Sequence, residues 1–226
     1  MDKIAVILPA HNEENSVGKV IDEVREALPQ AAIFVVDNAC TDDTATIAIA
    51  HGASVITEPR KGKGQAVRTA LARISADYVF MLDADYTYPA IYLRYMLRLL
   101  DGSMSFEFGA VYGWRHIVYN EAMTLGHKIG NKALTYLAQW LFGTVTHDLC
   151  TGIWGFKGNV AKHLANTLTS NGFTLEADIY SSLALAKYEL GSTIIHYRKR
   201  EGSKAKLRIL DGFKIALFLV KKRLQQ

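Results

Sequence analysis

Four short apolar runs punctuate the first half of the chain: KIAVIL (3–8), AIFVVD (32–37), SVIT (54–57) and DYVFMLD (77–83). Three of them are apolar almost without interruption. A strand with one face in water would alternate, so the pattern predicts a parallel sheet covered by helices on both faces. The segments between them follow the helical period instead. Over 16–28, Val17, Val20, Ile21, Val24 and Leu28 share one face, behind Asn15 or Ser16 as N-cap. Residues 43–51 and 65–75 read the same way, and Gly52 stands where a helix C-terminus favours glycine. The order β-α-β-α-β-α-β predicts a right-handed α/β layer.

Beyond residue 100 the regularity weakens. A strand is expected over 110–114, then a long helix over 121–142 with Leu125, Ile129, Ala133, Tyr136 and Trp140 on one side. Lys128, Lys132 and Gln139 lie off that stripe. Residues 146–158 read as turns, followed by two helices, a strand near 193–197 and a basic tail. Within the tail, IALFLV (215–220) is apolar around a full helical circumference, so it must be buried in the core, a partner or an interface. No internal repeat and no Pro/Gly-rich linker divides the sequence, and a single domain over 1–226 is expected.

Of 226 residues, 50% are hydrophobic and 21% charged, with 17 Gly and 4 Pro, which supports a sizeable core and excludes disordered or collagen-like architectures. Cys40 and Cys150 are too few for a disulfide scaffold and read as free thiols in a reducing compartment. The apolar run before Pro9 is too short for a signal peptide, and the longest charge-free apolar stretch, 133–146, falls short of the roughly 20 residues that span a bilayer. Neither export nor a transmembrane helix is expected. The net charge of +4 conceals an asymmetry: between Arg198 and Arg223 ten Lys or Arg meet two acids, so this tail carries +8 and the rest −4. A basic tail on an acidic body suggests an anionic partner: nucleic acid, a phosphorylated substrate or a membrane leaflet.

Ligands of open parallel α/β sheets bind beyond the carboxyl ends of the strands. Here those ends carry PAHNEE (9–14), DNACTDDT (37–44) and DAD (83–85). One such loop could serve as a helix cap, with Thr41 or Asp42 well placed; three on one edge point to a shared site. Asp83 and Asp85 stand out, because two carboxylates just past a buried strand can both reach a hard divalent cation, which then bridges phosphate oxygens. No G-x-G-x-x-G follows the first strand, which disfavours a nicotinamide or flavin cofactor, and no Walker A lysine loop is present.

Taken in order, PAHNEE, VVDNACTDDT, RKGKGQAVRTA and DADYTYP closely resemble the inverting glycosyltransferases of family 2, whose fold is called GT-A. GWR (113–115), HDLCTGIWGF (147–156), GFTLEADIY (172–180) and YRKREGSKAKLRILDG (197–212) look like its polyprenyl-phosphate branch, typified by dolichol-phosphate mannosyltransferase. The resemblance implies one GT-A domain, with a nucleotide-sugar-binding half (1–100) and an acceptor-binding half (101–226). It implies that Pro9, Ala10, Asn12, Glu13 and Asp37 line the nucleotide pocket, with Lys63 and Gly64 near it. Asp83 and Asp85, flanking Ala84, would hold Mg2+ or Mn2+; where many relatives place a Gln that also reaches the metal, this chain has Thr87. Arg115, Arg200, Ser203 and Lys204 fall where the family grips the donor diphosphate or the acceptor phosphate. Asp85, Arg115, Asp148 and Arg200 are thus the candidate catalytic residues.

The implied reaction moves a hexose, with mannose from GDP-mannose favoured over UDP-sugars, to a polyprenyl or dolichyl phosphate. A phosphate monoester is largely dianionic above its second pKa of about 6 and needs no general base. Asp148 and Glu176 therefore read as positioning groups, and Asp178 as a helix-surface acid. The expected location is peripheral, on the cytoplasmic face of a membrane. The membrane surface and a separate anchoring subunit are candidate partners, and nucleic acid is not. Rival readings are transfer to a hydroxyl with Asp148 as base, nucleotidyl transfer, for which a glycine- and arginine-rich phosphate loop is missing, and a non-catalytic binder, which leaves the acidic loops without a role.

Overall fold

The computed structural model describes residues 2–104, 106–118, 122–201 and 209–225. Within them, seven strands form one sheet: β1 (Ile4–Ala10), β2 (Ala32–Asp37), β3 (Ser54–Thr57), β4 (Tyr78–Leu82), β5 (Ala110–Val118), β6 (Ile153–Lys157) and β7 (Leu190–Tyr197). The helices are α1 (Val17–Ala27), α2 (Thr44–Ala50), α3 (Lys63–Arg73), α4 (Tyr92–Leu100), α5 (Leu125–Phe142), α6 (Gly158–Thr167), α7 (Leu175–Leu185) and α8 (Ile209–Leu224). The strand order is β3-β2-β1-β4-β6-β5-β7. β1 to β4 are parallel, β5 pairs parallel with β7, and β6 runs antiparallel between β4 and β5.

The uninterrupted apolar runs have the predicted cause. In β1, Val6 and Leu8 pack with Val17, Ile21 and Val24 of α1 and with Leu93 and Met96 of α4. Ile7, between them, joins the core on the other side of the sheet, with Val67 and Leu71 of α3, Leu164 of α6 and Ile179 of α7. Alternate side chains both find a core, so none need be polar.

Three expectations change in the second half. The segment read as turns contains β6, the strand that joins the two halves into one sheet. Its IWGFK run is too short for periodicity to separate strand from turn, and its glycines suggested loop. Gly155 is there for space: a Cβ would lie 2.7 Å from the Phe80 ring. The apolar stripe of the long helix faces outward. α5 packs inward through Leu134, Leu137, Ala138 and Leu141, while Leu125, Ile129, Tyr136 and Trp140 are each 60–80% exposed. A helix apolar on two sides satisfies the helical period twice, and the period does not say which side the core takes. α8 is divided likewise, with Ile215 and Leu219 buried and Leu210, Phe213, Leu217 and Leu224 all 68–79% exposed. No helix among the described residues is long and apolar enough to cross a membrane. Cys40 and Cys150 are free thiols.

Candidate active site

β1 lies between β2 and β4, so the chain leaves β1 toward one side of the sheet and returns to β4 on the other. A crevice opens at such a switch point, beyond the carboxyl ends of the strands. Three of the four positive-φ non-glycine residues among the described residues, Asn12, Ala39 and Tyr86, sit in the loops after β1, β2 and β4. Left-handed backbone at such residues costs on the order of 1 kcal/mol or more and persists where the surroundings hold it, typically at ligand sites. The loops are tied together. Asn12 Oδ1 accepts from the Thr41 N–H at 2.8 Å, the Glu13 N–H donates to Thr44 Oγ1 at 2.8 Å, and Asp37 Oδ1 accepts from the Cys40 N–H at 2.9 Å. Pro9 and Ala10 end β1 opposite Val36 and Asp37. Ser16 precedes α1 as expected, yet its hydroxyl donates to the Ala84 carbonyl at 2.8 Å instead of capping the helix.

Asp83 and Asp85, just past β4, each meet a cation of the chain. Lys63 Nζ, at the start of α3, lies 2.5 Å from Asp83 Oδ1 and 2.6 Å from Glu176 Oε1 at the start of α7. Burial alone would lower the Lys63 pKa, but the two carboxylates outweigh it and raise it. Arg200 pairs with Asp85, and its Nη1 stands 3.5 Å from Glu13 Oε1. Asp85 is pushed up by burial and then by the Asp83 charge, against the pull of Arg200. Thr87, at the position of the expected Gln, donates to Asp85 Oδ1 from its N–H at 3.1 Å and its hydroxyl at 2.5 Å, so it orients that carboxylate.

This donor set fits a hard divalent cation. Two neighbouring carboxylates favour positive charge beside them, which Lys63 and Arg200 already show, and Gly152 lets the Asp83 carboxylate lie against the backbone, since a Cβ there would lie 2.1 Å from Asp83 Oδ2. No group of three His, Cys, Asp or Glu among the described residues could hold a metal. A cation at Asp83 and Asp85 would therefore complete its shell with phosphate or water oxygens, the usual manner of Mg2+-type sites.

On the other side of β6, Asp148 accepts from the Arg115 N–H, Nε and Nη2 at 3.1, 2.7 and 2.6 Å and from Asn131 Nδ2 at 2.8 Å. Its lone-pair sites are filled, which makes it an orienting group for Arg115. Burial would lower the Arg115 pKa, yet Asp148 holds it well above its ordinary value. A cavity of about 270 Å3 opens here, lined by Arg115, His116, Lys128, Asn131 and Asp148 among others. Sequence reasoning missed Asn131 and His116 and took Lys128 only as a residue off the apolar stripe. The available signal was a polar strip of α5, with Lys128, Asn131 and Thr135 at helical spacing.

Asp178, expected on a helix surface, is fully buried and paired with Lys222. Arg198 bonds Glu23 at 2.7 Å and Lys214 bonds Asp211 at 3.0 Å. Arg198, Arg200 and Lys222 of the basic tail are thus counter-charge for acids of the body, while Lys214 pairs within the tail. Ser203 and Lys204 lie outside the described residues.

A family model described as Glycosyl transferase family 2 matches residues 5–164. Glycosyltransferase AglJ of Haloferax volcanii is 30% identical over 233 residues, covering 98% of this chain and 72% of its own. The dolichyl-phosphate hexose transferase of the same organism is 29% identical over 201 residues, 89% of this chain and 85% of its own. Among solved structures, glucosyl-3-phosphoglycerate synthase from Mycobacterium tuberculosis in complex with Mn2+, UDP-glucose and phosphoglyceric acid superposes with a TM-score of 0.75. It shares 21% identity, and the match covers 98% of this chain and 80% of that one, a likeness of fold.

Proposed function

Because the chain belongs to glycosyltransferase family 2 and has its GT-A fold, we propose that it transfers a hexose from a nucleotide sugar to a polyprenyl phosphate at a membrane surface. The observation that carries this reading is the convergence of Asp83, Asp85, Lys63 and Arg200 at the switch point of the sheet. Such a set suits a nucleoside diphosphate, whose departure concentrates negative charge at one place.

An oxygen of the acceptor phosphate attacks C1 of the hexose. The bond from C1 to the β-phosphate oxygen breaks, the nucleoside diphosphate leaves with the electron pair, and C1 is inverted. Lys63 and Arg200 give positive charge to the departing diphosphate, Arg200 in the bidentate manner of a guanidinium. A divalent cation held by Asp83 and Asp85 supplies further electrostatic stabilisation of that leaving group when bound. Pro9, Ala10, Asn12, Glu13 and Asp37 line the nucleoside side, with Gly64 behind Lys63. Arg115, oriented by Asp148 and Asn131, receives the acceptor phosphate together with His116 and Lys128 along the cavity. Ser203 and Lys204 are assigned to the same phosphate, following Arg200 in sequence. Because the acceptor is already an anion, the filled lone pairs of Asp148 are no obstacle to the chemistry.

The name of the Haloferax dolichyl-phosphate hexose transferase favours a polyprenyl phosphate acceptor. The resemblance to the polyprenyl-phosphate branch favours GDP-mannose as donor, and the UDP-glucose complex of the structural neighbour keeps UDP-sugars beside it. α5 and α8 pack side by side and turn Trp140, Tyr136, Phe213 and Leu217 to solvent among exposed Lys128, Lys132, Lys214, Lys221 and Arg223. An apolar face set among lysines suits the headgroup region of an anionic bilayer. The test incubates the chain with Mn2+, radiolabelled GDP-mannose or UDP-glucose and a short polyprenyl phosphate, followed by organic extraction. Label in the organic phase is expected. Label that enters only a water-soluble glycoside when 3-phosphoglycerate is offered would overturn the lipid acceptor.

A further inference from the structure

The buried carboxylate of Asp178 plays no part in the chemistry above, yet it is the best-satisfied acid of α7. Its Oδ2 accepts from the Thr169 and Ser170 N–H groups at 2.6 and 2.7 Å. Its Oδ1 pairs with Lys222 of α8, whose Nζ also donates to Ser182 Oγ at 2.9 Å. The turn that Asp178 grips lies directly on the lysine loop of the donor crevice. Asn171 O accepts from the Gln65 N–H at 3.1 Å. A Cβ on Gly62 would sit 2.0 Å from Asn171 O, and one on Gly64 would sit 2.4 Å from Ser170 O. Lys63 stands between those glycines and reaches Asp83 and, one residue into α7, Glu176. The same short helix therefore holds Lys63 from two sides: through Glu176 at its ammonium and through Asp178 and the 169–171 turn at its backbone.

We propose that Asp178, clamped by Lys222, is a positioning residue for Lys63 and sets the affinity of the site for a nucleoside diphosphate. This rests on reading the crevice as the donor site. A buried ion pair alone is a poor reason for stability, since apolar residues of similar shape often replace one without loss. What such residues cannot replace is the acceptor for two backbone N–H groups. Loosening the 169–171 turn lets the Gly62–Gly64 backbone relax, and Lys63 then meets the diphosphate with an ordering cost that the native loop has already met. The clamp also connects α8, whose outer side carries Phe213 and Leu217, with the donor crevice.

Two double variants of the full chain isolate the acceptor. Asp178→Asn with Lys222→Met removes both charges and keeps an oxygen for the turn; Asp178→Leu with Lys222→Met removes the oxygen as well. Binding of GDP and UDP with Mn2+ is measured by calorimetry, beside Tm. The Asn variant should bind within about twofold of wild type and the Leu variant about tenfold more weakly, the size of a coupling between residues in one network. The donor KM should rise by a similar factor with kcat changed less. Equal affinity in the two variants would overturn the clamp, whereas wild type binding neither nucleotide would overturn the donor-site reading itself. Should the Leu variant not fold, hydrogen exchange on the wild-type chain decides. Coupling is reciprocal, so Mn2+ with a nucleotide should slow exchange at the Thr169 and Ser170 amides, and unchanged exchange in a chain that binds nucleotide would refute the clamp.

Discussion

Asp85 is held by a hydroxyl, an N–H and a guanidinium, which fix the orientation of its carboxylate. Asp85→Asn keeps the shape and removes one unit of negative charge. Transfer should fall by at least about 10²-fold, in line with loss of an electrostatic stabiliser, with far-UV circular dichroism unchanged; near-normal turnover would separate Asp85 from the chemistry. Glu58 shows the same economy in a structural setting. It is 2% exposed, and its carboxylate receives Arg60 Nε and Nη2, each at 2.8 Å, and the Thr69 hydroxyl. The Arg60 and Thr69 bonds hold its pKa well below the ordinary carboxylate value. A depressed native pKa gives stability that is present above the unfolded-state pKa of about 4.3 and is lost as pH falls below it. Tm should therefore drop between roughly pH 4.5 and 2.5 more steeply in wild type than in Glu58→Gln, and parallel Tm–pH curves would contradict this.

At the scale of elements, the two helices with outward apolar faces are where sequence periodicity was ambiguous. Ile215 and Leu219 anchor α8 in the core, so substituting them tests folding; Phe213 and Leu217, on the other side, test the surface. Phe213→Glu with Leu217→Glu should leave Tm and nucleotide binding unchanged and abolish co-sedimentation with anionic vesicles. Each basic residue near such a surface contributes about 1 kcal/mol within a Debye length. Wild-type binding should accordingly weaken between low and physiological salt, and a salt-independent association would point to another cause. β6 teaches a complementary lesson. Its five residues carry no legible period, and it becomes a strand because β4 and β5 offer unpaired edges on either side.

For the whole molecule, the crevice is bounded by loops from β1, β2 and β4, by α3 and α7, and by Arg200 from beyond β7. A ligand that bridges them should stabilise the fold as one unit. Mn2+ with a nucleoside diphosphate at about 100 times its Kd should add about 2.7 kcal/mol, read as a Tm rise of several degrees for a chain of this size. Mn2+ alone should give much less, because Lys63 and Arg200 already neutralise the two aspartates. Equal shifts with and without nucleotide would separate the metal from the diphosphate.

The apolar runs of β1, β2 and β4 and the helices between them were legible in the sequence, because local period reports burial on one or two faces. The acidic loops after those strands were legible for a topological reason: in a parallel sheet all carboxyl ends share an edge. The order of the motifs and their family resemblance made Asp83, Asp85, Arg115 and Arg200 candidates from sequence alone. Partnership was not readable. That Asp148 is filled by Arg115 and Asn131, that Lys222 neutralises Asp178 across 44 positions, and that the outer side of α5 is its apolar stripe are facts about distance in space. A charge in the sequence states what it needs, and only the packing of β6, α7 and α8 against the first half decides which opposite charge supplies it.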